Sequence, residues 1–435
     1  MPYPRRYRVA LRWRTLLALA ITVFAGLTLL GSSTLSAADL KWVELDTVSH
    51  GWAWDFAGWE LANVGAKLRT QLAQPAAHLD AADSAALVRS YMGRAQAVGA
   101  AEYHLDTLYA QPAAGEANAP SMRDLAERRQ LETSLTVLGE QQALVRPAVE
   151  QIIQNQVSSV LAKHQLGAGF KAFPPVWFTF TEPPRKLVVS PRDRIATTYY
   201  AMLQPQLPAE EREKIETTIQ DKYDLSAYVT AIGGLGAYPT IVVDQAPLSW
   251  VLSTVAHEWI HNYLTMFPLG VSYTNSSELT ILNETVAEIA GDELGAEALA
   301  MYYPELVREF PSKDQPAPSP GDRYDETFDF RKEMRHTREV VDLFLKYGRV
   351  EDAEEYMQIR RQLFEENGYH IRKLNQAYFA FHGVYGTGAA ATSPIGPKLQ
   401  RLRELSPDLR TFLETVRWFT SEADLDRALA TAEKQ

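Results

Sequence analysis

The chain contains no cysteine, which excludes disulfides, thiolate metal sites and a cysteine nucleophile. Any metal must therefore be held by imidazole and carboxylate. The clustered lysine and arginine of a phosphate-tracking groove are also missing. Lys+Arg number 43 against 54 Asp+Glu, the formal net charge is -11, and the only dense basic cluster is Arg5, Arg6, Arg8, Arg12 and Arg14. Nucleic acid is not an expected partner. No low-complexity tract or fixed-period repeat is present, and 46% hydrophobic with 22% charged residues is a globular composition. At 435 residues the chain can form one large or two closely joined domains.

The basic cluster precedes an apolar run from Leu16 to Leu30, and small and hydroxylated residues follow up to Ala38. That order is an export signal. Two outcomes stay open for residues 1–38. Cleavage near Ser36 and Ala38 makes a secreted protein, whereas a retained helix over residues 15–37 spans about 30 Å of hydrocarbon as a single-pass anchor. In the second case the membrane is a partner and the residues after 38, with whatever domain they form, are extracytoplasmic, because the positive flank stays inside.

The remainder reads as an α+β chain, predominantly helical. Residues 39–166 form a helical N-terminal region, with a stripe of Val149, Ile152, Ile153, Val157, Val160 and Leu161 after Pro147 at helical spacing. A Pro/Ala/Gly-rich loop interrupts it from Gln111 to Pro120. Residues 167–310 form the core that carries the chemistry, with strand character between Phe173 and Val243 and a small mixed sheet. The segment containing Gly233, Gly234, Gly236 and Pro239 suits an edge or bulged strand, able to pair with an extended peptide. Residues 311–325 read as a linker, and 326–435 as a helical C-terminal region. Within that region, Met334, Val341, Phe344 and Leu345, then Gly348, then Ala353, Tyr356, Met357 and Phe364 predict a helical hairpin.

The segment LSWVLSTVAHEWIHNYLTMF places His257, Glu258 and His261 within an apolar helix, started at Pro247 and ended by Pro268 and Gly270. Four residues advance a helix by about 400°, so the two histidines share a face. They can bind one metal ion with Glu258 beside its water. Burying these groups without partners is costly, and coordination removes that cost. A third ligand is needed. The next helix, begun by a capping box at Asn275 and Glu278 and running to Gly295, offers Glu284, Glu288 and Asp292 on one face.

His257-Glu258-Trp259-Ile260-His261 followed by Asn283-Glu284-Thr285-Val286-Ala287 resembles the gluzincin branch of the zincin peptidases, in which an Asn-Glu step on a second helix completes the site. The resemblance implies a zincin-like fold, one Zn2+ per chain and Glu284 as third ligand. It gives Glu288 the part of orienting a ligand histidine, although thermolysin-like members carry Asp there. A closer likeness, over roughly residues 245–420, is to a bacterial aminopeptidase family with a helical hairpin followed by a Leu-Asn-Asn-Ala segment. Here that segment is Leu374-Asn375-Gln376-Ala377, with Gln376 replacing the second Asn, and Asn375 is expected to support the site from behind.

The implied activity is zinc-dependent hydrolysis of a peptide or protein substrate, with Glu258 as general base. His382 and Tyr385 are the candidate donors to the oxyanion, with Tyr378 and His370 behind them, while His336 reads as a helix-surface residue. Three other readings stand beside this one: an intramembrane metalloprotease built on the apolar residues 248–271, a catalytically inactive zincin-fold protein that binds peptide at the envelope, and a helical scaffold without metal.

Overall fold

The computed structural model describes residues 37–110, 122–167, 172–308 and 328–434. The Leu16–Leu30 run, the Gln111–Pro120 loop and the 311–325 linker lie outside the described residues. Among the described residues no helix is long and apolar enough to cross a membrane, so the expected membrane anchorage and the extracytoplasmic localisation drawn from it are withdrawn. The apolar helix that carries the histidines is a core element: its 17 residues extend about 26 Å, short of a span.

Residues 37–51 belong to a unit of their own, described over helix α1, Ala37–Ser49. From Trp52 onward the chain makes a second compact unit, which opens with helices α2 (Phe56–Ala73), α3 (Ala81–Ala110) and α4 (Met122–Lys163). Helix α4 runs through Pro147, although proline donates no backbone N–H and costs one helical hydrogen bond. Tertiary packing outweighs that local loss. The stripe after Pro147 is buried against Val88, Tyr91 and Met92 of α3. Lys67 of α2 donates to Glu150 Oε2 of α4 at 2.6 Å, and Glu150 Oε1 accepts from the Phe180 backbone N–H at 2.7 Å, so both oxygens of the buried carboxylate are bonded.

The strand-rich stretch resolves into two three-stranded sheets. Strands β1 (Phe178–Phe180), β2 (Arg185–Pro191), β3 (Tyr199–Leu203), β4 (Leu225–Ala231), β5 (Gly234–Leu235) and β6 (Thr240–Val242) assemble in the orders β1-β6-β5 and β3-β2-β4. The first sheet is mixed, β1 lying parallel and β5 antiparallel to β6; the second is antiparallel throughout. The glycine-rich strand β5 sits at an edge, as its composition requires. Between β3 and β4 the chain forms a helix that its strand-rich context hides, α5 (Ala209–Tyr223), which buries only Ile215, Glu216 and Ile219.

Helix α6 (Leu248–Leu264) is buried on nearly every side. After the single turn α7 (Pro268–Val271) comes α8 (Ser277–Tyr302). The N-cap of α8 is Ser276, accepting from the Leu279 N–H, and not Asn275. Gly295, expected at its end, lies in its interior. The reason is packing: a methyl group on Gly291 would lie 2.8 Å from the Cα of His257, and one on Gly295 would lie 2.5 Å from the Cα of Ser253. Residues 284, 288, 291 and 295 form one stripe of α8, so its glycines let α6 come close enough for Glu284 to reach the histidines.

The C-terminal region contains the expected hairpin, α9 (Phe330–Lys346) and α10 (Val350–Glu366). Gly348 makes its turn with a φ of 70°, in the left-handed region that favours glycine. Helix α11 (Gln376–His382) covers one face of the β3-β2-β4 sheet, Val188 packing with Ala377 and Ala380. Helices α12 (Ile395–Leu405), α13 (Leu409–Val416) and α14 (Glu422–Ala432) return to the main core through Leu399, Phe412, Leu413 and Leu425.

Two outcomes follow from this packing. Gly291→Ala overpacks the α6–α8 contact and is expected to destabilise the protein by about 2 kcal/mol, with weakened metal binding, both measurable by denaturant titration and metal analysis. Glu216, 1% exposed, accepts from Arg372 at 2.9 Å, from Lys373 at 2.6 Å and from the Val229 N–H at 2.6 Å. Burial alone would raise its pKa, but the bonds from Arg372 and Lys373 hold it below 4.5. Its stabilisation is therefore complete above the unfolded value and is lost as pH falls through the folded one. Glu216→Gln should cost about 3 kcal/mol at neutral pH, with a gap from wild type that narrows in urea titrations as the pH falls below the unfolded value.

Candidate metal centre

The antiparallel contact of α6 and α8 pairs Ser253 with Gly295 and His257 with Gly291, which leaves His261 beside the first turns of α8. The Nε2 atoms of His257 and His261 are 3.0 Å apart, and each lies 3.5 Å from Glu284 Oε2. Among the described residues these three form the group able to hold a metal ion. Zinc keeps nitrogen and carboxylate ligands at about 2.0–2.2 Å, which in tetrahedral geometry separates ligand atoms by about 3.3 Å. The residues present fit such an ion.

The ring orientation of His261 is set by Asn283, which the sequence marks only as the first residue of the Asn-Glu step. Asn283 Nδ2 donates to the Leu269 carbonyl at 3.2 Å, which fixes which end of the amide is oxygen. Its Oδ1 lies 2.7 Å from His261 Nδ1 and accepts that N–H. In the neutral ring that binds a metal, the lone pair of His261 is thereby left on Nε2, facing His257 and Glu284. Tyr273, in the turn after α7, donates its hydroxyl to Glu284 Oε1, leaving Oε2 turned toward the histidines. The sequence held a sign of the first, since Asn283 adjoins Glu284, and none of the second.

Electrostatics make the place attractive to positive charge. Burial alone would raise the pKa of Glu284, yet the two histidines hold it well below the ordinary carboxylate range. Burial alone would lower His261, but Glu284 pushes it up to about 9. Glu258 is 7% exposed; burial raises its pKa despite the opposing histidines. Strand β5 runs directly beside it. A methyl group on Gly234 would lie 2.7 Å from Glu258 Oε1, and one on Gly236 would lie 3.3 Å from Oε2, so glycine at these positions makes room for the carboxylate.

Of the remaining sequence-derived candidates, Tyr385 comes nearest, its ring centroid 6.4 Å from that of His257. The next residue holds it there, with the Gly386 N–H donating to Thr285 Oγ1 of α8 at 3.0 Å. Burial, reinforced by Glu284, Glu258 and Glu288, drives the Tyr385 pKa well upward, so its hydroxyl keeps its proton. The His382 ring lies against Tyr378, tilted by 40° with centroids 4.2 Å apart, and 6.2 Å from Tyr228; burial pushes its pKa down to about 4. Its ring contacts are with that aromatic wall and not with the histidine pair. Glu288 meets Thr387, and its buried Oε2 has no partner among the described residues; no hydrogen bond joins it to either histidine. Asn375 caps α11, accepting from the Tyr378 N–H and donating to the Ala227 carbonyl, each at 2.9 Å. It ties α11 to β4. Asp292 is half-buried beyond Glu288, whereas His336 and His370 are exposed.

No family model, no curated protein and no solved structure matches this chain. The assignment of a role to the cluster rests on its own geometry. Glu284→Ala is expected to lose stoichiometric zinc, while Glu288→Ala keeps it, as read by metal analysis after desalting. The reverse pattern would move the third ligand from Glu284 to Glu288.

Proposed function

We propose that the chain is a zinc metallopeptidase of the gluzincin type, acting on peptide bonds. The observation that carries this reading is the 3.0–3.5 Å triangle of His257 Nε2, His261 Nε2 and Glu284 Oε2, with the carboxylate of Glu258 on the same helix. Two imidazoles and a carboxylate favour zinc over harder ions. Bound there, the ion would lower the pKa of a water molecule toward neutrality and polarise a carbonyl.

The protein's own groups supply the rest. Glu258 accepts a proton from the attacking water and returns it to the departing amine. Its raised pKa suits both steps. The Tyr385 hydroxyl, protonated and without a hydrogen-bond partner among the described residues, donates to the oxyanion that develops on the scissile carbonyl. Strand β5 pairs with β6 on one side, and its other edge offers backbone groups to an extended peptide. The glycines keep that edge within reach of Glu258. The likeness to bacterial aminopeptidases directs the activity toward amino-terminal residues.

Glu258→Gln tests the chemistry without disturbing the ligands. It is expected to retain zinc and to lose peptide hydrolysis by about a thousandfold. Full activity in that variant would remove Glu258 from its role as base.

A further inference from the structure

One cation near the site has no part in the mechanism above. Lys186 lies in the central strand β2, opposite Met202 of β3 and Thr230 of β4. Residues two apart on a strand share a face, so it stands on the side of Val188, beneath α11. Its ammonium is 5.4 Å from the ring centroid of Tyr200 and 5.6 Å from that of Phe381. Such aromatic faces hold a cation without neutralising it. Among the described residues the Lys186 ammonium has neither an ion-pair partner nor a hydrogen bond.

The neighbouring cations are differently placed. Arg372 and Lys373 are committed to Glu216, and Arg192 to Glu354 and Asp224. Lys186 instead feels the carboxylates of Glu284 and Glu258, whose pull is outweighed by burial, which lowers its pKa. A divalent cation on the His257, His261 and Glu284 set balances those two carboxylates. Lys186, against Phe381 of the helix that leads on to Tyr385, is then a positive charge with no counter-ion among the described residues, and a desolvated ammonium calls for an anion. His382, next to Phe381 at 4.9 Å, is neutral and does not compete for it.

We propose that Lys186 recognises a carboxylate on the substrate close to the scissile bond, so that the preferred substrates are anionic peptides. The proposal rests on the peptidase reading and adds the class of peptide. The carboxylate has two sources, the free carboxyl terminus of a short peptide or an Asp or Glu side chain. In either case the aromatic faces of Tyr200 and Phe381 fix the ammonium before the substrate arrives, and the ion pair orients the peptide along the wall.

The test uses the full chain loaded with zinc and three peptides with free amino termini: trialanine, trialanine amide and Ala-Glu-Ala amide. Hydrolysis and calorimetric binding are measured for wild type, Lys186→Met and Lys186→Arg. Wild type should favour at least one carboxylate-bearing peptide over trialanine amide by about tenfold in kcat/KM. Lys186→Met should erase that preference through KM, and Lys186→Arg should restore part of it. Preference for trialanine identifies the terminal carboxylate, and preference for Ala-Glu-Ala amide the side chain. Equal use of all three peptides by wild type, or an equal loss on all three in Lys186→Met, overturns the proposal. If no peptide is cleaved at all the peptidase reading fails, and the binding data then decide on Lys186 alone: the carboxylate-dependent affinity either falls in Lys186→Met, as proposed, or does not.

Discussion

The close approach of α6 and α8 is the constraint on which the rest depends. Side chains at Gly291 and Gly295 would occupy the volume of the α6 backbone at His257 and Ser253, and a wider separation would carry Glu284 away from the two imidazoles. Each ligand atom is positioned by helix geometry, and each helix by burial in the main core. The acidic and basic groups that gather there are therefore held by apolar packing, and their mutual attraction is a result of the fold more than its cause.

What could be read in advance follows from where local rules suffice. His257, Glu258 and His261 lie on a helix whose apolar run and terminal prolines identify it without tertiary information, and the paired stripes around Gly348 mark the α9–α10 hairpin in the same way. Gly295 reads as a helix end because an interior glycine and a terminal one look alike in a sequence; only the neighbouring helix distinguishes them. Helix α5 escaped because its burial is confined to one narrow face within a strand-rich stretch. The roles of Asn283 and Tyr273 depend on side-chain directions across a turn. Asn375, read as a residue behind the site, caps a helix and ties it to a strand, a part that depends on tertiary placement. The membrane placement rested on composition outside the described residues, and the apolar helix inside them is accounted for by the core.

The two sheets divide the work around the helices. The mixed sheet places a glycine-bearing edge against Glu258, so the base is met by backbone alone. The antiparallel sheet lies under α11 and presents Lys186 with a wall of aromatic rings, while Tyr385 is anchored to α8 just beyond that helix. Charge is thus segregated. Carboxylates and imidazoles gather along the helical pair, and the unpaired ammonium stands on the sheet.

Asn283 touches both the short turn at Leu269 and the imidazole of His261. The address of a single proton on that ring is consequently written by a backbone carbonyl of the connection between the two helices. Were that turn to shift, the amide could rotate and the tautomer would follow, converting the metal-facing nitrogen from a lone pair into an N–H. The connection between the two ligand-bearing helices thereby governs whether the imidazole is able to serve as a ligand at all.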